Sequence, residues 1–226
     1  MSGGALSVAA AVLARRSVRQ FTAQPVPDET LAAILTAALR APSGGNLQPW
    51  HIHAVRGAAL ERLKAAMRAA HEEGKSETPL HAVYPEHLWE PYRSRRFENG
   101  EDLYRTIGID RADKAGRLNQ LARNYQLFGA PVGLFFAIDR RMGRAQWLDM
   151  GMAMQTVMLL AVEQGLATCP QAAWALWPDT LRDALQLGDE MVVAAGMALG
   201  YEDGGHAING LRTTRQSPGE GISWHE

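Results

Sequence analysis

The segment RRSVRQF, residues 15–21, places Arg15, Ser17 and Arg19 at alternate positions. In an extended chain alternate side chains share a side, so two guanidiniums and a hydroxyl converge there while Arg16 and Val18 face the other way. Such a set suits a phosphate or the anionic edge of a ring, because arginine presents a fixed fork of donors. A basic helix end that complements the helix dipole is the competing reading. A second stretch, RAPSGGNLQPWH over residues 40–51, sets Gly44 and Gly45 among Ser43, Asn46 and Gln48. These residues are ordinary turn vocabulary. They are also what lets a backbone approach a ligand closely and offer it neutral hydrogen bonds.

Other chemistries find no support. The chain has no G-x-G-x-x-G fingerprint, no P-loop, no H-E-x-x-H and no G-x-S-x-G elbow. His51 and His53 could share a strand face, but zinc needs three or four ligands, so a structural role is the better reading and no metal is expected. Cys169 is the only cysteine. With no obvious basic partner it reads as a small packing residue rather than a reactive thiol. A single cysteine also excludes an intrachain disulfide, and a reducing cytoplasm is the natural expectation.

These groups need elements to hold them. The 226 residues, 46% hydrophobic and 21% charged, are enough for one large domain. The formal charge of −1 provides no basic field for nucleic acid or an anionic membrane surface. No apolar run reaches transmembrane length, and the start lacks a basic flank ahead of its apolar stretch, so no secretion signal is expected. Ala5–Arg15 is patterned as a helix. PDETLAAILTAALR places Leu31, Ile34, Leu35, Ala38 and Leu39 on one helical stripe behind an Asp28 cap. WHIHAV alternates as a strand would, while APVGLFFAID and MVVAAGMALGYE read as buried strands. Residues 60–125 are charged and helical in pattern, interrupted at Pro79, Pro85 and Pro91. Gln146–Gln164 is apolar on almost every side and stops at Gly165, as a helix packed all round would, often against a partner subunit. Strands separated by helices imply an α+β layered fold with helices against one sheet.

RRSVRQF near the start, APSGGNLQPWH about a helix later, GLATCPQAAW after the apolar helix and LRTTR near the end together resemble the nitroreductase family of FMN-dependent homodimeric oxidoreductases. The middle segment, PYRSRRFENGEDLYRTIGIDRADKAGRLNQLARNYQLFGAP, looks like the branch that includes nitrobenzoate- and nitroaromatic-reducing members. The resemblance implies a nitroreductase-like α+β fold, a central mixed or antiparallel sheet flanked by helices, in an intertwined homodimer. It implies one domain over residues 1–226, with a helical excursion or lid around 71–125 and a C-terminal arm around 205–226.

By the same resemblance Pro42, Ser43, Gly44 and Asn46 contact FMN across the dimer interface, with Gln48 and Trp50 supporting the turn. Arg15, Arg16 and Ser17 match the family's phosphate-binding start. Arg19 falls where a cation faces the flavin pyrimidine and stabilises charge that builds there during reduction. Arg215 matches a phosphate-binding residue, with Arg212 as helper. Pro170, Gln171 and Ala172 match the segment along the ring, although some relatives carry an acidic residue where Ala172 or Ala173 stands here. Asn124 is placed at the pyrimidine end. The implied reaction is a ping-pong transfer from NAD(P)H through FMN to a small aromatic acceptor, a nitroaromatic or a quinone, with no side-chain catalyst demanded. Trp89, Tyr92, Phe97 and Tyr104 lie among Arg93, Arg95, Arg96 and Arg105, a mixture suited to stacking a planar ring while attracting a negative substituent. Aromatics that merely pack the lid beneath solvated arginines are the alternative. A reductive dehalogenase, another flavin-transforming member, or a non-enzymatic flavin-binding protein would share the same scaffold.

Overall fold

The run Val132–Asp139 is apolar at almost every position, and it forms β2, an inner strand of the sheet. The computed structural model describes residues 6–226. Strands β1 (His51–Arg56), β2, β3 (Ala167–Gln171) and β4 (Met191–Gly200) form one four-stranded sheet in the order β1-β2-β4-β3, with every neighbouring pair antiparallel. Alternate residues of β2 feed opposite cores. Leu134, Phe136 and Ile138 join one, Phe135 and Ala137 the other. A sheet buried on both faces has no reason to alternate polar with apolar, which is why β2 and β4 read as continuous apolar runs. Each fully buried Leu, Ile or Phe contributes about 1.5–3 kcal/mol.

One face is covered by α2 (Asp28–Ala38) and α6 (Arg144–Glu163). The other is covered by α3 (Gly57–Glu72), α7 (Pro178–Leu185) and Trp174. Helices therefore flank the sheet on both sides. In α2 the stripe Leu31, Ile34 and Ala38 is buried as the spacing predicts, but Leu39 caps the helix and is exposed. Asp28 makes no cap hydrogen bond. Its carboxylate lies inside the first turn and pairs with the Arg56 guanidinium at the end of β1.

The helix expected from Ala5 is observed as α1 (Val8–Ala14), capped by the Ser7 hydroxyl, which accepts from Ala10 N–H at 3.1 Å. Ala5 itself lies outside the described residues. α6 ends where expected, with Gly165 at φ +70° and Leu166 N–H returning to the Ala161 carbonyl at 2.8 Å. It is not packed all round in the single chain. Met150, Ala153, Val157 and Ala161 are buried at helical spacing, whereas Leu148 on the opposite face is 71% exposed.

β3 is a strand that the sequence pattern did not disclose. Pro170 interrupts its donors, and a proline is tolerated there because β3 is an edge strand. α3 packs on β1 and belongs to the sheet's own core. Beyond it residues 73–91 are largely irregular, followed by α4 (Tyr92–Thr106) and α5 (Lys114–Ala122). After β4 comes a tight turn, Ala207–Gly210, against which α4 packs.

Candidate functional site

Leaving α1, the chain extends alongside β3. Ser17 forms a parallel bridge with Thr168, and Val18 N–H donates to the Thr168 carbonyl at 3.0 Å. Val18 is buried in the core, which anchors its polar neighbours at the rim. Arg15, Arg16, Ser17 and Arg19 then line a pocket of about 660 Å³ together with Gln155 of α6 and Leu211, Arg212, Thr213 and Arg215 of the C-terminal segment. Arg16 lines the pocket too, contrary to the simple alternation, and its guanidinium pairs with Glu202 just beyond β4.

The charge in this pocket is unbalanced. Among the described residues Arg15, Arg19, Arg212 and Arg215 form no ion pair. Their recorded partners are neutral oxygens: Arg19 reaches the Ser17 carbonyl at 3.3 Å, Arg212 the Asn209 carbonyl at 2.8 Å, and Arg215 the Thr213 hydroxyl and Thr214 carbonyl, each at 2.7 Å. Among the described residues the buried Arg16 Nε has no hydrogen-bond partner. Several guanidiniums and an orphaned donor around one cavity fit an anionic group, since a carboxylate or phosphate supplies the acceptors they lack. The residues present therefore suit a phosphate-bearing ligand.

The glycine turn stands apart. Pro42, Ser43, Gly44 and Asn46 do not line the arginine pocket. Gly44 N–H donates to the buried carboxylate of Asp149 on α6, and Gln48 N–H donates to Ser43 Oγ at 3.0 Å. Gln48 Nε2 donates to the Asn46 carbonyl at 3.2 Å, and Trp50 is buried beneath. Gly45, Asn46 and Gln48 all have φ near +50 to +60°, a region open to glycine and tolerated by asparagine. The turn is thus held by its own backbone and by α6, the helix that also presents Gln155 to the pocket.

Gln171 and Asn124 are brought together. Gln171 Nε2 donates to the Asn124 carbonyl at 2.7 Å and to its Oδ1 at 3.2 Å, while Gln171 Oε1 accepts from Trp174 Nε1 at 3.3 Å. With that side chain fully engaged, the segment Pro170–Ala172 has only backbone left to offer a ligand. Trp174 fits because Gly196 faces it: a β-carbon there would lie 2.3 Å from Trp174 Cδ1.

The excursion residues sit elsewhere. Trp89 and Tyr92 pack edge to face with centroids 5.4 Å apart, and both are exposed. Arg96 lies over the Tyr84 ring at 4.4 Å, and Tyr104 is covered by Arg117 at 4.3 Å. None of the four expected substrate residues lines the arginine pocket.

Burial pushes the Cys169 thiol up to about 11, against the opposite pull of Arg19, Ser17 and Arg15. His51 is exposed and His53 half-buried, its pKa held below the ordinary value by burial and by His51. Among the described residues no three His, Cys, Asp or Glu side chains gather in a way that could hold a metal ion, and no helix is long and apolar enough to cross a membrane.

Sequence reasoning missed Gln155, Asp149, Glu202 and Asn209. Asp149 left one signal, an acid near the start of a mostly apolar helical run whose one other acid, Glu163, stands at its end.

The nitroreductase family model matches residues 12–201. A 4-nitrobenzoate reductase of Pseudomonas putida is 39% identical over 207 residues, covering 92% of this chain and 90% of its own. A nitrobenzene nitroreductase of Ectopseudomonas oleovorans is 39% identical, with 84% of each chain covered. Among solved structures, an FMN and NADPH-dependent nitroreductase from sphigopyxis sp. strain HMH superposes with a TM-score of 0.95 at 46% identity, over 98% of this chain and 100% of that one. With the family model matched from the end of α1 to the end of β4 and relatives alike over most of both chains, the chain belongs to the nitroreductase family.

Proposed function

We propose that the protein is an FMN-dependent oxidoreductase that reduces nitroaromatic or quinone-like acceptors with NAD(P)H in a ping-pong cycle, and that it works as a homodimer. One observation carries the reading: Arg15, Arg19, Arg212 and Arg215 surround a single pocket and, among the described residues, no carboxylate is paired to any of them. Relatives named 4-nitrobenzoate reductase and FMN and NADPH-dependent nitroreductase support it.

FMN, when bound, supplies the relay of reducing equivalents from NAD(P)H to the acceptor. The chain binds and orients. Arg15 and Arg215 hold the phosphate, Arg16 and Ser17 complete its cradle, and Arg212 assists. Arg19 presents its charge to the pyrimidine edge of the ring, where a fixed cation favours added negative charge. Asn124 serves the same end, and Pro170, Gln171 and Ala172 run alongside the ring with their backbone. Pro42, Ser43, Gly44 and Asn46 serve the site of the partner subunit. Their separation from the arginine pocket supports this, as do the exposed apolar side chains Val12 and Leu13 on α1, Leu47 beside the turn, and Leu148 and Met152 on α6. A second copy would cover them.

Trp89, Tyr92, Arg96 and Tyr104 belong to a lid around 71–125 that meets the aromatic acceptor, and residues around 205–226 form an arm, all within one domain. No metal and no side-chain nucleophile is required. The buried Cys169 suits residence in a reducing cytoplasm.

Purified protein is expected to be yellow, to sediment as a dimer with one FMN per chain, and to oxidise NADPH or NADH in the presence of 4-nitrobenzoate or a small quinone. A colourless protein that takes up no FMN on reconstitution would overturn the proposal. FMN binding without acceptor-dependent oxidation of either nucleotide would leave a flavin-binding protein and sink the enzymatic part.

A further inference from the structure

Asn209 is 5% exposed, and its polar side chain sits in the tight turn after β4. Its Oδ1 accepts from the backbone N–H of Arg19 at 2.9 Å. Its Nδ2 donates to the carbonyls of Gln20 at 2.8 Å and Asp203 at 2.9 Å. Its own carbonyl accepts from Arg212 Nη1 at 2.8 Å. Both amide hydrogens are used, and so is the amide oxygen. Only a carboxamide accepts on one branch while donating twice from the other. Aspartate would turn a second acceptor toward two carbonyls, and an aliphatic residue would leave the Arg19 N–H without a partner and take one of two donors from each of the Gln20 and Asp203 carbonyls.

Two of those bonds join segments about 190 residues apart that both reach the arginine pocket, and the other two hold the turn and Arg212 locally. Arg19 comes from the extended segment after α1, Arg212 from the segment after the turn. Each is a long side chain with large rotamer freedom, and holding one in place before a ligand arrives removes part of the ordering cost of binding.

We propose that Asn209 is a positioning residue of the anion pocket: its side chain ties the turn to the backbone of Arg19 and Gln20 while its carbonyl docks the Arg212 guanidinium, so that the phosphate of FMN meets a preformed cation. The inference rests on the reading of this pocket as the FMN phosphate site. Asn209 does not line the pocket; it acts through Arg212.

Riboflavin, which has the ring and ribityl chain but no phosphate, separates positioning from general support. Flavin is stripped from the wild type, Asn209→Ala, Arg212→Ala and the double variant, and FMN and riboflavin are titrated back by fluorescence. Asn209→Ala is expected to weaken FMN about tenfold while riboflavin changes less than about twofold. The double variant is expected to bind FMN within about twofold of Arg212→Ala alone, because the two residues act as one unit. Equal losses for FMN and riboflavin, or fully additive effects of the two substitutions, would overturn the proposal and leave the pocket reading intact. A wild type that binds FMN no better than riboflavin would overturn both. Should Asn209→Ala not fold, Asn209→Asp, nearly identical in shape, carries the same comparison with the same expected loss of FMN preference.

Discussion

The backbone N–H of Gly44 donates to both carboxylate oxygens of Asp149, at 3.2 and 3.3 Å. The Asp149 side chain is buried, and no cation is paired with it among the described residues. A buried carboxylate is costly without donors, so the amide of the turn and the acid of α6 depend on each other. Asp149→Ala is expected to free the turn and to weaken FMN retention by about 1–3 kcal/mol, roughly one to two decades in affinity. Asp149→Asn keeps an acceptor for the Gly44 amide and should lose less. FMN titration of the two variants checks the order; equal affinity in wild type and Asp149→Ala would remove the turn from the site.

Arg15→Ala and Arg215→Ala are each expected to cost FMN affinity by roughly 1.5–3 kcal/mol, the contribution of a charge-assisted hydrogen bond. Turnover of either variant resaturated with FMN should stay within severalfold of wild type, because neither residue meets the acceptor. Equilibrium dialysis measures the first quantity and steady-state kinetics the second. Retained FMN in both variants would place the phosphate elsewhere.

Trp89 and Tyr92 form an exposed edge-to-face pair at the start of α4. Because neither supports a core, Trp89→Ala is expected to leave Tm and FMN affinity unchanged while raising KM for nitroaromatic acids severalfold more than for small quinones, as lost stacking would do. A parallel rise in KM for every acceptor would show that the pair only shapes the excursion.

The Cys169 thiol, pushed from an ordinary value near 9 to about 11 by burial, is neutral and inaccessible at pH 8. Ellman's reagent should find no reactive thiol in the native protein and one per chain in denaturant. The folded pKa lies above the unfolded one, so the associated stability is present below about pH 9 and is lost as pH rises toward 11. Denaturant melts of wild type and Cys169→Ala across that interval test the sign: only the wild type should lose this increment.

Local chemistry in the sequence points to one half of the site well. The arginine cluster of 15–19 and the basic segment 212–215 carry their charge on their faces, and the structure places them around one pocket. The end of α6 is equally legible, because Gly165 relieves a left-handed backbone position. What stays hidden depends on distant partners. Asn209 and Asp149 act on backbone groups about 190 and 105 residues away, and a backbone amide has no letter in the sequence. β3 escapes notice because Pro170 is forbidden in an inner strand, and only the completed strand order makes it an edge. Asp28 looks like a helix cap until Arg56, 28 residues on, offers a stronger partner.

Apart from Gln155, the residues that line the pocket fall between 12 and 19 and between 211 and 215, so two of its walls lie about 200 residues apart in the chain. On a ribosome adding ~5–20 residues per second, Arg215 emerges roughly 10–40 s after Arg15. Within that interval β1 and β2 can pair, but β4 and β3 join the sheet only shortly before the cavity gains its second wall. On the proposed reading of this pocket, cofactor loading is expected to be a post-translational event, so that a cell short of flavin would hold an empty pool that is rescued by supply, without new synthesis.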